Sequence, residues 1–131
     1  MAPILAAAAR YALTVFAAGF LLGAFRVLWL APRLGPTAAV ALELPLILAV
    51  AWIACRRTAT SVPRTPRARL AMGGIAFLLL MAAEALIGTA FGRGLGAQIR
   101  ELTSAAGLLG LGGQIAFALF PLLQLWAGPR P

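Results

Sequence analysis

Four long apolar runs alternate with short polar or glycine- and proline-rich interruptions along the chain. The runs cover residues 11–30, 37–55, 70–91 and 104–126. Each is close to the ~20 residues that a helix needs to cross about 30 Å of hydrocarbon. The pattern predicts an all-α membrane protein, a four-transmembrane-helix bundle forming one transmembrane domain over residues 1–131.

The interruptions give the runs their ends. Ala31-Pro32-Arg33-Leu34-Gly35-Pro36 places two prolines and a glycine in one tight connection, which closes the first helix. Thr37 is the expected N-cap of the second. Pro45 lies inside that helix and cannot donate to the carbonyl of Ala41, which predicts a kink. Residues 56–69 are the one extended polar stretch, with Arg56, Arg57, Arg64, Arg67 and Arg69 among Thr, Ser and Pro. They read as an exposed, largely extended loop. Gly92-Arg93-Gly94-Leu95-Gly96 ends the third run. Leu95, Ile99 and Leu102 then recur at helical spacing among Gln98, Arg100 and Glu101, as in a short amphipathic turn lying in the interface. The fourth run is glycine-rich in its first half (Gly107, Gly110, Gly112, Gly113) and carries Pro121 near its exit.

Composition agrees with a lipid solvent. The chain is 63% hydrophobic and 11% charged, with a mean hydropathy of +0.98, whereas soluble domains carry about 25% charged residues. Eleven arginines face three glutamates, for a net charge of +8. Most arginines flank apolar runs, so the basic balance is a topology signal, and nucleic acid is not an expected partner. With no histidine and one cysteine, Cys55, the chain offers no His-ligated haem or zinc site, no internal disulfide and no cysteine metal cluster. No metal and no cofactor are expected. The start, Met1 to Arg10, lacks the basic n-region of a secretory signal, and the first run reads as a retained helix.

Arginine counting sets orientation. Arg10, the five arginines of 56–69 and Arg130 fall on one side, while Arg33, Arg93 and Arg100, partly offset by Glu101, fall on the other. The majority side faces the cytoplasm, so both termini are expected inside.

Three charges lie within the runs: Arg26, Glu43 and Glu84. At 1.5 Å per residue Arg26 is about 6 Å from the outer end of its helix, Glu43 about 9 Å and Glu84 about 10 Å. All three therefore belong to the outer half at similar depth. Each ionised group costs about 2.5–3.5 kcal/mol near mid-membrane, so such groups face the bundle interior and pair. Gly19, Gly23 and Arg26 share a face, as do Glu84, Gly88 and Phe91. Gly19 with Gly23, and Gly88 with Gly92, repeat the small-xxx-small spacing of closely packed helices. An Arg26–Glu43 pair across the first hairpin is expected, with Glu84 the less well paired acid and Gln114 a polar lining residue near mid-membrane. The cluster reads either as a structural clip or as a functional polar site. Arg56, Arg57, Arg64, Arg67 and Arg69 can contact anionic lipid headgroups.

Across Gly23-x-x-Arg26-Val-Leu-x-x-x-Pro32-Arg33-x-Gly35, Glu43-x-Pro45 and Ala83-Glu84, the chain resembles small uncharacterised four-helix inner-membrane proteins of proteobacteria. That resemblance implies a multi-pass location in the bacterial inner (cytoplasmic) membrane and supplies no activity. The small multidrug-resistance exporters are similar in size and helix number, but they keep an essential glutamate in the first helix, where this chain has Arg26. The expected role is a non-catalytic accessory, interaction or lipid-associated subunit, with membrane lipids and either a homo-oligomer or a larger membrane complex as partners. The other reading is an oligomeric small-solute or proton-coupled transporter working through Arg26, Glu43 and Glu84.

Overall fold

The computed structural model describes residues 1–127, and no strand occurs among them. The order is α1 (Ala2–Phe25), a wide π-helical turn (Arg26–Leu30), α2 (Ala31–Leu34), α3 (Pro36–Thr58), a 3-10 turn (Ala59–Ser61), α4 (Pro66–Ala90), α5 (Leu95–Glu101) and α6 (Ala105–Ala127). Four helical segments are long and apolar enough to cross a membrane: Ala2–Leu34, Pro36–Ser61, Pro66–Ala90 and Ala105–Ala127.

Local chemistry explains the boundaries. Pro36 and Pro66 open α3 and α4, where the missing proline N–H has no intrahelical partner to lose. Thr65 caps α4, its Oγ1 accepting from the Ala68 N–H at 3.2 Å. Ser104 does the same for α6, accepting from the Gly107 N–H at 3.0 Å. Gly92, at φ +83°, ends α4 in the left-handed conformation that favours glycine. The Gly92 N–H donates to Thr89 O at 3.0 Å and the Arg93 N–H to Gly88 O at 2.9 Å, which occupies two otherwise orphaned carbonyls.

Three expectations about the boundaries are corrected. The first helix does not stop at Leu30. It widens over Arg26–Leu30, where the Ala31 N–H reaches back to Arg26 O, and continues through Pro32 to Leu34. A proline interrupts the normal ladder and pushes on the preceding turn; the wider turn accommodates it. The reversal is made by Gly35 alone, at φ +87° and ψ 160°. Gly35, not Thr37, therefore precedes α3. Residues 56–69 are not an extended loop either: α3 runs to Thr58, α4 starts at Pro66, and Arg69 is buried at 4% exposure.

Around the bundle the neighbours run α1, α3, α6, α4 and back to α1, so the consecutive helices α3 and α4 lie on a diagonal. One end is closed. Ala7, Ala8, Tyr11, Ala51, Cys55, Met72, Ala76 and Phe117 are all buried there, and the many alanines let the helices approach closely. Large apolar side chains such as Leu13, Leu21, Leu28, Leu78 and Leu86 are exposed on the outside. That inversion of the soluble pattern suits a hydrocarbon surround. At the other end the helices part.

Candidate functional site

The parted end encloses a cavity of about 860 Å³ between α1, α3, α4 and α6. Val15, Phe16, Phe20, Leu44, Ile47, Leu80 and Phe117 give it apolar walls, and Arg26, Glu43, Glu84, Arg93 and Gln114 supply its polar groups. Its floor is the Tyr11–Phe117 stack, with ring centroids 4.2 Å apart. This volume lies within the ~300–1,000 Å³ typical of small-molecule sites.

The expected charges meet here in two pairs rather than one cluster. Arg26, first residue of the wide turn, donates through Nη1 to Oε2 of Glu43. Glu43 is 8% exposed and lies two residues before Pro45, the residue that lacks a donor. Glu84 on α4 instead accepts from Gln114 Nε2 on α6, with 2.9 Å to its Oε2 and a second contact to its Oε1. Glu84 has no ion-pair partner among the described residues. Gln114 Oε1 is buried with no hydrogen-bond partner among the described residues. At the rim, Arg93 pairs with Glu101. By sequence Arg93 enters only the count of arginines that sets orientation. Its place at the cavity follows from the left-handed turn at Gly92, whose glycine was the available signal.

The glycines divide differently from the expectation. Gly19 stands at ordinary separation from α3, a Cβ there lying 3.8 Å from Ile47 Cδ1. Gly23 meets no other helix; its nearest neighbour is Arg26 Nη2 at 3.7 Å. Gly88 is covered by Gln98 of α5, 2.6 Å from the position of a Cβ, and Gly92 is a turn. The close approaches are elsewhere: Gly73 abuts the Ala118 carbonyl, Gly107 the Glu101 carbonyl, and Gly113 the Leu44 side chain at 2.6 Å. Gly110 faces open space within the cavity wall.

The five arginines proposed for lipid contact also separate. Arg69 donates to Pro121 O at 3.3 Å and Pro63 O at 3.4 Å, and Arg64 to Leu125 O at 3.2 Å. Burial turns Arg69 inward, away from headgroups. Arg56, Arg57 and Arg67 are exposed at the closed end. Arg130 lies outside the described residues. Among the described residues no group of three His, Cys, Asp or Glu side chains is placed to hold a metal ion.

No family model, no curated protein and no solved structure matches this chain.

Proposed function

We propose that this protein is a multi-pass protein of the bacterial inner membrane, with both termini inside, and that its role is non-catalytic. It holds one amphiphilic molecule in the outer-half cleft and acts as a lipid-associated or accessory subunit within a homo-oligomer or larger membrane complex. The observation that carries this reading is the cleft itself: a cavity of about 860 Å³ with apolar walls and a few converging polar groups, open at one end and stopped by the Tyr11–Phe117 stack. Four exposed apolar helix faces support the membrane location, and Arg56, Arg57 and Arg67 remain exposed for anionic headgroups on the inner side.

A proton-coupled transporter is the second reading, favoured by one observation. Glu84 faces a neutral amide rather than a guanidinium, as suits a carboxyl group that gains and loses a proton. Transport would also require the Tyr11–Phe117 layer to open.

Filling the cleft tests the first reading. Gly110→Phe adds a large side chain where nothing lies within 4 Å. Native mass spectrometry of the protein released from detergent should show a lipid-sized molecule on the parent and ~10-fold less on the variant, a loss of about 1.4 kcal/mol in binding. Equal retention by both proteins, with equal melting temperatures, would remove the cleft as the holding site.

A further inference from the structure

The charges around the cleft do not cancel. Arg26 is engaged with Glu43 and Arg93 with Glu101. The Glu84 carboxylate is left with the Gln114 amide as its partner among the described residues. Gln114 uses Nε2 in that contact, and its Oε1 is buried without a donor among the described residues. A carboxyl group without a counter-charge and an unsatisfied carbonyl thus occur side by side on α4 and α6, at the wall of one cavity. The Gln114 oxygen is buried, whereas the Glu84 side chain is exposed and opens on the cavity. An unmatched buried carbonyl and a carboxylate facing apolar walls without a counter-charge are both costly in a low dielectric.

These two groups define the chemistry of what fits. An anion gains little, because each guanidinium at the cavity already faces a carboxylate. A divalent metal ion lacks a third ligand, since no group of three suitable side chains occurs among the described residues. A quaternary ammonium would balance Glu84 but bring no N–H to the second acceptor. A primary ammonium supplies both a positive charge and three donors. The aromatic faces of Phe16, Phe20 and Phe117 suit the apolar body that would follow it.

Resting on the reading of the cleft as a holding site, we propose that its occupant carries a primary ammonium on an apolar body, with the nitrogen between Glu84 and Gln114. Two sources present this chemistry: a free hydrophobic amine, and the headgroup of an amino-phospholipid. The ammonium completes both acceptors. A free amine also leaves the cavity electrically neutral, whereas an amino-phospholipid brings its own phosphate, which must lie outside the Glu84–Gln114 contact.

Calorimetry in phosphatidylcholine nanodiscs, with empty nanodiscs as baseline, compares phenylbutylamine, phenylbutanol and trimethyl-phenylbutylammonium on the unaltered protein. The amine should bind ~10-fold or more tightly than the alcohol and measurably more tightly than the quaternary ion. Glu84→Gln, which keeps the shape of the side chain, should erase the preference over the alcohol. Gln114→Leu should erase the preference over the quaternary ion. Native mass spectrometry after exchange into mixed phosphatidylethanolamine and phosphatidylcholine addresses the lipid source, and Glu84-dependent retention of phosphatidylethanolamine would support the ammonium equally well. Equal binding of the three probes, together with lipid retention indifferent to Glu84, would overturn it. Gly110→Phe then separates the two ideas. If that variant still loses the probes, the cleft remains the site and only the ammonium falls; if it binds them unchanged, the holding role falls as well.

Discussion

Pro121 deletes a backbone hydrogen bond in the last third of α6, and Tyr11 replaces it. A proline has no N–H to offer the carbonyl four residues earlier, and here that carbonyl belongs to Phe117. The Tyr11 hydroxyl donates to Phe117 O at 2.7 Å while its ring stacks on the Phe117 ring. Tyr11 and Pro121 are among the largest fully buried side chains of the molecule, so no water competes for the carbonyl. Tyr11→Phe keeps the stacking and removes only the donor. It should cost about 1–3 kcal/mol, the range for leaving a buried group unsatisfied. Pro121→Ala restores an N–H for Phe117 O, so the same Tyr11→Phe change should cost much less in that background. Equilibrium unfolding in detergent of the four proteins of this cycle checks the coupling; strict additivity would show that the hydroxyl serves some other purpose. Each residue is visible in the sequence, and so is the place of Pro121 near the exit of the fourth run. Their partnership spans 106 positions, and no periodicity reports it.

At the scale of elements, local chemistry sets where helices begin and end, although the expected bounds missed it at Leu30, Thr37 and residues 56–69. Pro36, Pro66 and Gly92 act locally, through missing donors and a positive φ, and local effects can be read from neighbours in the chain. Burial cannot. The Gly19–Gly23 stripe had the spacing of a packing motif, yet Gly23 meets only its own Arg26 within 4 Å. A helix that does need a glycine is α4 at Gly73, where a Cβ would collide with the Ala118 carbonyl of α6. Backbone cannot yield as a flexible side chain can. Gly73→Ala should therefore destabilise by about 1–3 kcal/mol, as overpacking does. Gly74→Ala, next door with nothing within 4 Å, should be neutral or stabilising because alanine is the better helix former. Thermal melts of both variants decide the matter. Should Gly73→Ala melt like Gly74→Ala, α4 and α6 are farther apart than described.

The whole molecule is asymmetric along its axis, tight at the arginine-rich end and open at the other. Arg10, Arg56, Arg57 and Arg67 are exposed at the closed end, whereas Arg93 at the open end is matched by Glu101, and Arg33 lies against Trp29, 4.4 Å from the ring centre. Even with Arg69 buried, the closed end keeps the excess of positive charge on which its proposed cytoplasmic placement rests. A reporter fused at Thr60 should then behave as cytoplasmic and one at Gly35 as periplasmic. The reverse for both fusions would turn the molecule over and place the cleft on the inner face.

Helical class, the four apolar segments and the positions of the charges within them were determined by the sequence alone. Each follows from hydrophobic run length, from proline and glycine chemistry, or from the cost of charge in an apolar run, all of which act within a few residues. The Arg26–Glu43 pair was legible for a related reason: a short hairpin forces its two helices together. The Glu84–Gln114 contact, the Tyr11 cap on α6 and the cleft were decided only by the tertiary arrangement. They depend on α3 and α4 taking the diagonal, which brings α6 between them and sets α4 against α1. That choice balances close packing at alanine and glycine surfaces spread over the whole chain, a sum that no single stretch of sequence contains.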